Sequence, residues 1–179
     1  LFLNLVTDVF PALALGVGRG DAGVMGHPPR DPGEAFLPGY WWWGIVGYAC
    51  AISSAVLGAM AAAIFVLGMD SGEVVTVCFL TLGFAQIWHV YNMRDRGSEI
   101  FRNDITENRV LWGALVVCVV LLLCAVHVPT VSTVLGTEAI GWRGWVLTLG
   151  MSAVPLVWGG IFRLWSRRPS IGGRPRLVA

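Results

Sequence analysis

Four apolar runs, at about 40–67, 74–93, 110–128 and 145–165, dominate this 179-residue sequence, and a shorter one occupies residues 1–18. At 1.5 Å of rise per residue, about 20 apolar residues span the bilayer hydrocarbon as an α-helix. Lipid offers the backbone no hydrogen-bond partners, so an open sheet with free edges is excluded at that depth. Charged residues make up only 13% of the chain, where a soluble domain carries about 25%. The pattern predicts an all-α fold: a polytopic transmembrane bundle of about five helices. The segments are a partial helix at 1–18, a loop at 19–39, a four-helix region at 40–167 and a tail at 168–179.

Arginine sets the expected orientation. All 12 basic residues are Arg, and every one but Arg143 falls in 19–39, in 94–109 or from Arg163 onward. The connection holding Asp70 and Glu73 has none. By the positive-inside rule, the loops 19–39 and 94–109 and the C-terminus are expected in the cytoplasm. Mixed signs between 94 and 109 argue for a solvated connection, and against a nucleic-acid surface. A missing lysine and an Ala/Gly/Arg/Val bias suggest a GC-rich bacterial genome, and so the plasma membrane.

Within the first run, Asn4-Leu5-Val6-Thr7-Asp8 is followed by Pro11. A carboxylate at bilayer depth costs roughly 2.5–3.5 kcal/mol on insertion scales and is by default a functional residue. Asn4, Thr7 and Asp8 have the spacing of one helix face. Pro11 cannot donate to the carbonyl of Thr7. Such a group of oxygens suits a hard cation. The run has no basic residue before Arg19 and carries Asp8 in its apolar stretch, unlike a signal peptide. It is expected to be a truncated transmembrane helix, and the chain a fragment of something longer.

Elsewhere polar residues are sparse. Gln86, His89 and Asn92 recur every three residues; Gln86 lies deepest and is a candidate ion ligand. His89 and Asn92 are expected to hydrogen-bond between helices. Ala51, Ala55 and Ala59, with Ser54 and Gly58, form small-residue stripes that predict a packing seam. Trp41, Trp42 and Trp43 suit the headgroup layer, as does His127. Cys50, Cys78, Cys118 and Cys124 lack metal-ligand spacing and read as small apolar residues. No zinc spacing or nucleophile elbow occurs, and without lysine a Walker-type loop is excluded.

Asn4-Leu5-Val6-Thr7-Asp8 with Pro11-Ala12 and Ala14-Leu15-Gly16 resembles the sixth transmembrane helix of P-type cation-transporting ATPases, nearest the calcium pumps. Asp21, Met25 and Pro28-Pro29-Arg30 match the loop that follows it. Thr81-Leu82, Phe84-Ala85-Gln86 and Asn92 resemble the eighth helix, and Phe101 with Asn108-Arg109 the start of the ninth. The resemblance implies helices six to ten of a pump whose other domains are phosphorylated by ATP with Mg2+. It makes Asn4, Thr7, Asp8 and Gln86 metal ligands for a transported cation, Ca2+ first, with Mn2+, Na+, K+ or Mg2+ as alternatives. Gln86 replaces a glutamate found in some calcium pumps, and Val9 a glycine. Expected partners are the bilayer and the N-terminal remainder of the pump. The phosphorylation motif Asp-Lys-Thr-Gly does not occur in this sequence, so the chain alone is expected to be half of a transport site.

Two other readings compete. A stand-alone small membrane protein, acting as a channel subunit, secondary-transporter half or scaffold, would need an oligomer to build a pathway. A purely structural reading makes Asp8 a protonated packing residue, which leaves the company of Asn4, Thr7 and Pro11 unexplained.

Overall fold

The computed structural model describes residues 1–17, 39–92 and 108–166, and of 39–41, 91–92 and 161–166 the backbone alone. Apart from their last residues, the loops expected at 19–39 and 94–109 lie outside the described residues, as does the tail. Every described element is helical: α1 (Phe2–Gly16), α2 (Gly39–Phe65), α3 (Ser71–Asn92), α4 (Arg109–His127), α5 (Pro129–Leu135), α6 (Trp142–Ser152) and α7 (Val154–Ser166). The all-α membrane bundle expected from the apolar runs is what forms.

Among the described residues three helices are long and apolar enough to cross a membrane: Trp42–Phe65, Ser71–Val90 and Arg109–His127. The fourth expected span, 145–165, is instead broken between α6 and α7. Pro155 lacks the N–H that a continuous helix would return to Met151. Ala153 closes α6 near the helical region (φ −77°, ψ −13°), and its carbonyl accepts from both Leu156 and Val157. Pro155 is fully buried, so the bend itself is a packed feature.

Helix α3 is the hub, touching α1, α2, α4, α6 and α7. Half of its membrane window is buried inside the protein, against 22% for α2 and 28% for α4. The core gathers Val6, Ala59, Ala63, Val77, Leu80, Phe84, Cys118 and Leu122. Outer faces carry Leu57, Phe65, Val116, Val120 and Val146, all exposed, as a lipid-facing surface requires. The alanine stripe of α2 is a seam: Ala51, Ala55, Ala59 and Ala63 are all buried. Gly58 belongs to it, because a Cβ there would lie 2.5 Å from Met151 Cε. Ser54 does not; it is exposed and bonds back to Ala51 O.

Short connections fix the ends. Gly68, at φ +60°, lets the chain fold back so that the N–H groups of Leu67 and Met69 reach Ala62 O and Ala63 O. The Asp70 N–H is bonded by Glu73, an acid in the first turn of α3 that favours the helix dipole. Thr76 Oγ1 accepts from the Glu138 N–H at 2.7 Å while donating to Gly72 O, which pins the connection after α5 onto α3. On the other side, α1 runs antiparallel to α4: Val6 lies against Cys118 and Ala14 against Leu111.

Candidate ion site

Pro11 shapes the site. The stretch Leu5–Val9 is a π turn inside an otherwise α-helical α1, with flanking residues Asn4 and Phe10 still in the right-handed helical region. The chain is not unwound beside Asp8; it is widened. In this register each N–H reaches back five residues, so the Phe10 N–H serves Leu5 O. Val6 O would then take its bond from Pro11, which has no N–H to give. The carbonyl left over is thus at Val6, one residue before the Thr7 carbonyl expected from an α register.

That carbonyl is not unsatisfied. Cys118 Sγ, fully buried on α4, donates to Val6 O at 2.9 Å. Cys118 lies nine residues from either end of α4, so the π turn sits at the midpoint of a membrane span. By sequence alone Cys118 reads as a small apolar residue; nothing there marks its partner, 112 positions away.

The π turn also splits the expected polar face. With more residues per turn, Thr7 lags behind Asn4 and turns inward: Thr7 is 3% exposed, whereas Asn4 and Asp8 are exposed. Thr7 Oγ1 lies 2.5 Å from Gln86 Oε1 on α3, 2.8 Å from Leu3 O and 3.4 Å from Asp8 Oδ1. Three oxygens therefore surround one hydroxyl. A hydroxyl has one proton to donate, so it satisfies one of the three neighbours; an amide turned over, donating through Nε2, would satisfy Gln86. Asn4 stands apart, exposed and with no polar contact from its side chain among the described residues. Thr7, Asp8 and Gln86 are brought together; Asn4 is beside them on the outer face.

Of the other polar candidates, His89 packs its ring on Tyr48 at 4.5 Å, with Nδ1 buried and without a hydrogen-bond partner. Its interhelical contact is ring to ring, not the hydrogen bond expected. His127 stacks on Trp145 at 6.3 Å. Trp42 and Trp43 are exposed, and the side chains of Trp41 and Asn92 are outside the described residues. All four cysteines are free. Among the described residues no group of three or more His, Cys, Asp or Glu converges, so soft-metal chemistry has no donor set there. What converges is neutral oxygen with one carboxylate at its edge.

Comparison with known proteins gives the family of the chain. Residues 1–165 match the family model described as "Cation transporting ATPase, C-terminus". The "Calcium-transporting ATPase" of Bacillus subtilis (strain 168) is 33% identical over 155 residues, covering 87% of this chain and 17% of the relative. "Calcium-transporting ATPase 1" of Bacillus cereus (strain ATCC 10987 / NRS 248) is 30% identical over 184 residues, covering 92% and 20%. "Calcium-transporting ATPase 7, plasma membrane-type" of Oryza sativa subsp. japonica is 30% identical over 162 residues, covering 88% and 15%. The chain spans a fifth or less of the length of these relatives. With helices, apolar spans and family model in agreement, the chain belongs to the cation transporting ATPase C-terminus family.

Proposed function

We propose that this chain works as the C-terminal membrane region of an ATP-driven Ca2+ pump, and that Thr7, Asp8, Gln86 and Asn4 offer oxygens to the transported ion. The observation that carries the proposal is the convergence of Thr7 Oγ1, Gln86 Oε1 and Asp8 Oδ1 at mid-span. Oxygens this close, with one proton among them, repel each other unless a cation or a turned amide intervenes. Calcium takes about 6–8 oxygens at roughly 2.3–2.6 Å. The four candidate side chains cannot complete that shell, so water or other helices must add the rest.

Charge points the same way. Asp8 and Asn4 face outward from the described bundle. Left toward lipid, the carboxylate would cost roughly 2.5–3.5 kcal/mol. Further helices of the pump, packed over this face, would both shield Asp8 and supply the missing ligands. ATP and Mg2+ act in this scheme only through domains outside the chain. The arginine distribution supports a cytoplasmic C-terminus, and composition a bacterial plasma membrane.

The test is ion-dependent phosphorylation of an intact pump carrying this segment. Asp8→Asn should raise the Ca2+ requirement by an order of magnitude or more, since it removes the one formal charge at the site. An Asp8→Asn variant with unaltered Ca2+ dependence rules the ligand assignment out.

A further inference from the structure

Two carbonyls of α1 accept hydrogen bonds from side chains of α4 and of its N-cap residue. Val6 O, stranded by the π turn and Pro11, accepts from Cys118 Sγ. Ala14 O lies in the last turn of α1, where helix carbonyls lose their partners; it accepts from Asn108 Nδ2 at 3.1 Å. Asn108 Oδ1 meanwhile caps α4 itself, accepting from Val110 and Leu111 N–H. The two ties run in antiparallel register and bracket Pro11. Helix α4 contributes no candidate ion ligand, yet it holds the ligand helix on both sides of Pro11.

We infer that Cys118 is a positioning residue for the ion site: its thiol keeps α1 in the π register that turns Thr7 toward Gln86 and leaves Asp8 beside it. The inference rests on the ion-site reading above. Burial alone does not explain the residue, because an alanine or valine would fill the same apolar space without donating. Without the thiol, Val6 O would be a buried acceptor with no partner. The helix would then return toward an α register, in which Phe10 N–H serves Val6 O and the Thr7 carbonyl, opposite Pro11, becomes the unpaired one, and the Thr7 side chain would swing away from Gln86.

Two variants test this, Cys118→Ala and Cys118→Ser, with two readouts. In the 179-residue chain in lipid bilayers, an isotope-edited infrared band from a carbonyl label at Val6 reports its hydrogen bond. It should move to lower wavenumber in Cys118→Ala, as the Phe10 N–H replaces the weaker thiol donor, and return toward the parent position in Cys118→Ser, whose hydroxyl can hold the π register. In the intact pump, Cys118→Ala should raise the Ca2+ concentration for half-maximal phosphorylation about fivefold, the effect of losing one net hydrogen bond. The maximal rate at saturating Ca2+ should stay within twofold, and Cys118→Ser should restore the Ca2+ requirement. Unchanged Ca2+ dependence in Cys118→Ala, or a serine variant as impaired as alanine, overturns the inference. Asp8→Asn measured alongside separates the two claims. If it too leaves Ca2+ dependence intact, the ion-site reading has failed, and the Val6 band still shows whether the thiol holds the carbonyl.

Discussion

Replacing Asn108 with alanine removes three hydrogen bonds from one side chain: two that cap α4 and one that ties α4 to Ala14 of α1. Loss of an Asn cap costs typically ~1 kcal/mol, within a range of about 0.5–2. An interhelical bond in a membrane protein averages about 0.6 kcal/mol. Asn108 is half-buried, so water replaces part of both, and Asn108→Ala should destabilise the bundle by about 1.5 kcal/mol. Asn108→Asp separates the contributions. A carboxylate still accepts from Val110 and Leu111 N–H, and gains from the helix N-terminus, but it has no N–H for Ala14 O and faces that carbonyl with negative charge. Reversible unfolding in mixed lipid and detergent, followed by a double-mutant cycle with a truncation of α1 at Ala14, gives both numbers. Asp should preserve the start of α4 while loosening α1. An alanine variant within 0.3 kcal/mol of the parent, or an aspartate variant with the α1 tie intact, would refute the reasoning about how these helices are joined.

Other perturbations follow from the packing. A Cβ on Gly83 would lie 2.9 Å from both Leu122 methyls and 3.2 Å from Leu3. Gly83→Ala should therefore cost about 1–3 kcal/mol by overpacking where α1, α3 and α4 meet, and adding Leu122→Ala should recover part of it in the same unfolding assay. Leu122→Ala alone, at a fully buried site, should cost about 2–5 kcal/mol. Pro155→Ala restores an N–H at the break between α6 and α7, and spin-label distances from α6 to α7 should lengthen as the two align. An unchanged distance would mean that packing around Ala153, not proline, makes the bend.

The apolar runs made the helical class of the fold legible, because lipid leaves a backbone few options. The alanine stripe of α2 was legible too, since a four-residue repeat of small side chains has little use except close packing. The break at Pro155 lay in plain sight but inside an apolar run whose hydropathy gives no sign of a bend. Thr7, Asp8 and Gln86 were legible as polar groups where polarity is costly, and Thr7 and Gln86 do meet. Their disposition was not. A face drawn at 3.6 residues per turn put Asn4, Thr7 and Asp8 together, whereas the π turn buries one and leaves two outside. A register change of this kind depends on which donor can reach the stranded carbonyl. That donor, Cys118, is supplied by a helix more than 100 residues away, and local sequence carries no trace of it.

The most direct measurement is the structure of the intact pump with Ca2+ bound, with the ion identified by anomalous scattering. Asp8 and Gln86 should each place an oxygen at roughly 2.3–2.6 Å from the ion, with Thr7 Oγ1 in the same shell and further helices covering the outer face of α1. Calcium held elsewhere, with the Asp8 carboxylate turned to lipid or to open water, would contradict the assignment of this site.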